Sequence, residues 1–68
     1  MSVRVLLLPE RKKARFELPR GADGFALLKA ININPENVII IRREKPIPVD
    51  AKLGPNDELK VIRVVSGG

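Results

Sequence analysis

Only one stretch of this chain repeats its apolar side chains at helical spacing. Phe25, Leu27, Leu28, Ala30 and Ile31 lie three and four residues apart. That places them along one broad face of a helix of about ten residues beginning near Ala22. Asp23 stands where a carboxylate meets the free amides of a first turn. Asn32 suits a left-handed closing residue, and Asn34-Pro35 bars continuation, because a residue before proline prefers to be extended. Every other apolar cluster has strand length. A 68-residue chain has room for one core, so a single helix must cover one face of a single sheet.

The strands follow in order. Val3 to Leu8 is rich in β-branched residues and leucine and stops at Pro9. After the charged turn Glu10 to Lys13, residues Ala14, Phe16 and Leu18 alternate with Arg15 and Glu17, the period of a half-buried strand that completes a hairpin. Val38 to Ile41 is apolar on both alternating faces and reads as a strand covered on more than one side, followed by a charged turn from Arg42 to Lys45. Pro46 and Pro48 restrict Ile47 and Val49 to a short edge strand, and Leu53 plugs the core from a loop. Gly54-Pro55-Asn56-Asp57 is a turn that launches the last strand, Leu59 to Val65. The order ββαβ(β)β predicts an α+β fold: a β-grasp, with a four- to five-stranded mixed sheet wrapped over one helix. Its first and last strands run parallel in the middle. The whole of 1–68 is expected to be one domain, with a flexible tail at 65–68.

Composition then removes function classes. With no cysteine, histidine, tyrosine or threonine and only Ser2 and Ser66 as hydroxyls, the chain has no thiol or imidazole for nucleophilic catalysis and no zinc ligand set. It is expected not to be an enzyme and to bind no metal. Its apolar runs are too short to span a bilayer and no signal-peptide pattern is present, which predicts a cytoplasmic protein with no membrane partner. The net charge of +5 favours an anionic partner. With Phe16 and Phe25 the only aromatics, a base-stacking platform cannot be assembled, and nucleic acid is the disfavoured choice. The lack of Gln, Cys and His beside abundant Lys, Arg and Glu leans toward a heat-adapted source.

The last strand runs without a stop signal into Ser66-Gly67-Gly68. Two terminal glycines are suggestive only, since a frayed end can look the same. A small sheet can nevertheless hold one end of a chain firmly while a side-chain-free segment projects from it.

Taken in order, the opening strand, Leu27-Leu28, Val38 to Ile41, Pro48 with Asp50 and Leu53, Asp57-Glu58-Leu59 and Val65-Ser66-Gly67-Gly68 carry a family likeness. The chain resembles the small β-grasp sulfur carriers of thiamine and molybdopterin biosynthesis, the ThiS/MoaD group, and the related archaeal ubiquitin-like modifiers. It departs from their pattern at two turns. Arg43-Glu44 stands where family members commonly have Asn-Gly, and Asn56-Asp57 where they have Gly-Asp; both changes bear on turn type rather than on the tail.

The resemblance implies an acyl carrier activated at Gly67 and Gly68. An E1-like adenylating enzyme would use ATP on the Gly68 carboxylate, which is ionised at neutral pH. The carrier itself would bind no cofactor. The activated acyl group would pass to sulfur, giving a thiocarboxylate, or to a lysine amine. A sulfurtransferase, a thiazole synthase or a molybdopterin synthase large subunit are the further partners implied, and thiamine, molybdopterin or tRNA thiolation the possible destinations. Glycine at both positions admits the tail to a narrow channel. If Leu59 and Val61 face the helix, then Ile62 and Val64 look outward with Ile40 or Ile39. Rimmed by Lys60, Arg63 and Arg42, they would form a protein-docking patch that continues into Val65 and Ser66. The alternative is a small basic RNA-binding module using Arg11-Lys12-Lys13 and Arg15, against which a solvated hairpin turn is weighed more heavily.

Overall fold

A computed structural model describes residues 1–64. Five strands, β1 (Ser2–Leu8), β2 (Lys12–Glu17), β3 (Val38–Arg42), β4 (Lys45–Ile47) and β5 (Glu58–Arg63), form one sheet in the order β2-β1-β5-β3-β4. β1 and β5 pair in parallel at its centre, and the other neighbours are antiparallel. This is the β-grasp arrangement that the element order predicts. A short 3-10 turn, Pro35–Asn37, precedes β3.

The helix α1 spans Gly24–Ile31 and is capped as its sequence predicts: the Asp23 carboxylate accepts from the Ala26 amide at 3.0 Å, and Asn32 closes the helix at φ 66°. Its inward face is narrower than the apolar spacing suggests. Gly24, Leu27 and Leu28 are buried and Ile31 partly so, whereas Phe25 is 50% exposed and Ala30 faces solvent. The face that meets the sheet is i, i+3, i+4, i+7 counted from Gly24. A glycine is needed at that first position because the backbone of the loop before Leu53 crosses the helix start. A Cβ on Gly24 would lie 2.3 Å from the Val49 carbonyl oxygen. Bonds from Gly24 N to Ala51 O (3.2 Å) and from Leu53 N to Ala22 O (2.9 Å) pin that loop.

Val3, Val5, Ile40, Leu59 and Val61 point from the sheet to Leu27 and Leu28, and Leu18, Ala22 and Leu53 close the sides of the core. Burying a side chain of this size is worth about 1.5–3 kcal/mol relative to leaving it exposed. Two elements are shorter than their patterns predict. The β3–β4 turn consists of Arg43 and Glu44 alone, since Arg42 and Lys45 already pair across the hairpin, and β4 ends before Pro48. β5 ends at Arg63, although the Val64 amide still donates to the Asn37 carbonyl at 2.8 Å.

Candidate docking face and tail root

Because side chains alternate along a strand, the register that buries Leu59 and Val61 sends Lys60 and Ile62 to the opposite face of the sheet, which no helix covers. Parallel pairing sets Leu8 beside Ile62, and antiparallel pairing sets Ile39 on its other side. A row of three aliphatic side chains therefore crosses the outer face. Strand spacing of about 4.8 Å makes it roughly 10 Å wide. The next row reads Lys13, Leu6, Lys60, Ile41 and Pro46. Lys60 stands between two aliphatic neighbours, along which its methylene stem can lie while the ammonium reaches water.

The candidate residues named above separate. Ile62 is half-buried on the outer face and Lys60 is exposed there; Val64, 48% exposed, stands just beyond the strand at the root of the tail. Ile40 is a correction. It is 1% exposed and packs in the core, because its cross-strand partner is Val61, and Ile39, 44% exposed, holds the outward position. β3 is accordingly covered on one side only, and its continuous apolar run reflects a second face that is apolar and open.

The cationic rim is likewise rearranged. Arg63 shares the parity of Leu59 and Val61 and pairs with Glu10 of the β1–β2 turn. It sits with Asn32, Ile33, Asn37 and Val64 around a small recess at the end of the sheet. Arg42 also lies on the helix side. Its Nη1 donates to the Lys52 carbonyl (3.0 Å) and to Asp57 Oδ2 (3.3 Å), and the same carboxylate oxygen accepts from the Gly54 amide at 2.7 Å. Arg42 thus fastens the loop that launches β5. Val65, Ser66, Gly67 and Gly68 lie outside the described residues.

Leu6, Leu8, Ile39 and Ile41 are the outer-face residues that alternation within a single strand does not assemble. Their signal lies in the pairing of β1 with β5, which sets Leu8 against Ile62. Among the described residues no group of three or more Asp or Glu stands ready to hold a metal, and no helix is long and apolar enough to cross a membrane. What the arrangement offers is a flat apolar strip beside the root of the carboxyl-terminal segment.

Known proteins resemble this chain in both sequence and fold. The family model described as small archaeal modifier protein 2 matches residues 1–65. An uncharacterized protein of Archaeoglobus fulgidus is 43% identical over 59 residues, covering 87% of this chain and 85% of that one. The sulfur carrier protein TtuB of Thermus thermophilus is 33% identical over 64 residues, 94% of this chain and 95% of its own. Among solved structures, SAMP1 from Haloferax volcanii superposes with a TM-score of 0.70 over the full length of both chains at 18% identity. A ubiquitin-like protein from Caldiarchaeum subterraneum gives 0.62, over 98% of this chain and all of that one, at 9% identity. At those identities the structural likeness is one of fold.

Proposed function

Given that the chain belongs to the small archaeal modifier protein 2 family, and so to the ubiquitin-like modifiers with sulfur carriers among their relatives, we propose that it serves as an acyl carrier activated at Gly68. An ATP-dependent adenylating enzyme docks on the outer sheet face through Leu8, Ile62 and Ile39, with Val64 at the tail root, and takes Val65 to Gly68 into its active site. A carboxylate oxygen of Gly68 attacks the α-phosphorus of ATP. The bond to the β-phosphate breaks, pyrophosphate leaves, and an acyl-adenylate forms. Hydrosulfide then attacks the carbonyl carbon, the bond to AMP breaks, and a thiocarboxylate results; a lysine amine attacking the same carbon gives an isopeptide bond, AMP and a proton. The carrier supplies the acyl group, and the enzyme supplies ATP binding and catalysis.

The observation that carries this reading is the placement of β5. It is hydrogen-bonded to β1 on one side and β3 on the other, with its inner face sealed in the core. It leads through Val64 to a sequence with two glycines at its end. Four residues follow Val64, a length that spans at most about 14 Å, so an enzyme that reaches Gly68 must also contact the sheet face or the sheet end.

The test is intact-mass analysis after incubation with the activating enzyme of the same source, ATP and sulfide. Exchange of one oxygen for sulfur at Gly68 is the expected result. Deletion of Gly67 and Gly68 should abolish it while leaving the far-UV spectrum and melting temperature unchanged. An unmodified wild-type chain in the presence of an enzyme that turns over another substrate would remove the reading.

A further inference from the structure

Cations cluster on the outer face of this sheet. On the helix side Arg42 holds Asp57, Arg63 pairs with Glu10, and Lys52 Nζ donates to the Gly21 carbonyl at 3.1 Å, while Lys12, Lys29 and Lys45 are dispersed along β2, α1 and β4. On the outer face the register gathers Lys13, Arg15, Arg4 and Lys60 within two adjacent rows. Two of its anions are already paired, and Glu44 stands at the edge in the β3–β4 turn. Glu58 bridges Arg4 at 2.5 Å, and Glu17 lies 3.7 Å from the α-amino group of Met1. Among the described residues Lys13, Arg15 and Lys60 have no ion-pair partner, and Arg4 stands directly opposite Arg15. Like charges opposed across a strand pair destabilise it; Glu58 offsets this for Arg4 from the other side, and Arg15 is left without an anion of its own. Over these rows lies a shallow concavity of about 840 Å³ whose charged lining includes Arg4, Lys13, Arg15, Arg43 and Lys60 together with Glu44, Asp57 and Glu58, so cations outnumber anions there.

We infer that this cationic field, set about 7 Å along the strands from the apolar row, is a recognition surface for an acidic patch on the activating enzyme. Lys13, Arg15 and Lys60 are its specificity-determining residues. The inference rests on the function proposed above and names the chemistry of its partner. Charge complementarity selects an anionic occupant, and the surroundings select a protein. The cations lie beside the apolar row of Leu8, Ile62 and Ile39 as a polar rim lies beside the apolar core of a protein interface. Both aromatic side chains lie elsewhere, Phe16 on the inner face of β2 and Phe25 on α1, which leaves nothing for nucleobases to stack on. Peripheral cations of this kind act mainly on encounter and discrimination.

The test is pyrophosphate exchange with the activating enzyme of the same source, at low and physiological salt, comparing the wild-type chain with a Lys13→Glu, Arg15→Glu, Lys60→Glu triple variant. These side chains are exposed, so the variant should fold, as judged by its melting curve; Lys60→Gln and Arg15→Gln alone provide milder reporters. The triple variant should raise the KM for the carrier about tenfold or more at low salt, leave kcat within about twofold, and flatten the salt dependence. Each single variant should raise KM about two- to threefold. A folded triple variant with unchanged KM and salt dependence overturns the inference while leaving the carrier function standing, whereas a wild-type chain that supports no exchange removes both. Unchanged KM together with loss of binding to a total-tRNA probe at physiological salt would overturn it in favour of RNA.

Discussion

The β3–β4 turn contains the clearest local conflict between sequence and backbone. Its two residues, Arg43 and Glu44, have φ of 52° and 66°, the conformation that a two-residue hairpin of type I′ demands at both central positions. An L-residue with a full side chain in the left-handed region carries about 1–2 kcal/mol of crowding between Cβ and the following carbonyl. Asparagine tolerates the region and glycine is free of the clash, so Arg43→Asn with Glu44→Gly removes most of that strain. Against this, glycine adds unfolded-chain entropy of about 0.5–1 kcal/mol. The balance is a stabilisation of about 1–2 kcal/mol for the double variant. For a domain of this size each kcal/mol moves Tm by about 4–8 °C, so calorimetry should record a rise of about 5–15 °C. Gly21 gives the same test in reverse. Its φ is 83° and a Cβ there would meet nothing within 4 Å, so Gly21→Ala isolates the conformational cost and should lower stability by about 1 kcal/mol. An unchanged or lower Tm for the double variant would refute the reasoning, because the turn would then be held by contacts of the Arg43 and Glu44 side chains that outweigh the strain.

Two further outcomes are expected. Gly24→Ala drives a methyl group into the Val49 carbonyl oxygen and to within 2.9 Å of Ile40 Cδ1; the urea midpoint should fall by an amount equivalent to about 1–3 kcal/mol or more. Ile39→Ser with Ile62→Ser removes the centre of the apolar row; thermal unfolding should change by about 1 kcal/mol or less, as for surface positions, while the KM for the activating enzyme rises severalfold.

Local rules made much of the fold legible in advance, and the reasons are specific. Asp23 and Asn32 mark the ends of α1 because each satisfies a backbone group that the helix leaves open. The alternation of Leu59 and Val61 with Lys60 and Ile62 gives the faces of β5 because the strand period is two. Which isoleucine of β3 turns outward is a different kind of question. Ile39, Ile40 and Ile41 are chemically identical neighbours, and a one-residue slip exchanges the faces; only the pairing of Ile40 with Val61 decides it. Arg42 follows Ile40 and is settled by the same pairing, whereas the inward parity of Arg63 already follows from the alternation of Leu59 and Val61. Phe25 is exposed while its neighbour Gly24 is buried against the Val49 backbone, as adjacent helical positions about 100° apart require.

These placements share one cause. A sheet wrapped over a single helix has only one face to bury, and here that face takes Val3, Val5, Ile40, Leu59 and Val61. The open face has no such demand, yet it bears an aliphatic row beside the tail root and, in the rows next to it, Lys13, Arg15 and Lys60 without ion-pair partners among the described residues. An apolar row and a cation cluster in adjacent rows, with β5 leading toward Gly67 and Gly68, give the proposed partner apolar and anionic contacts to complete when it binds.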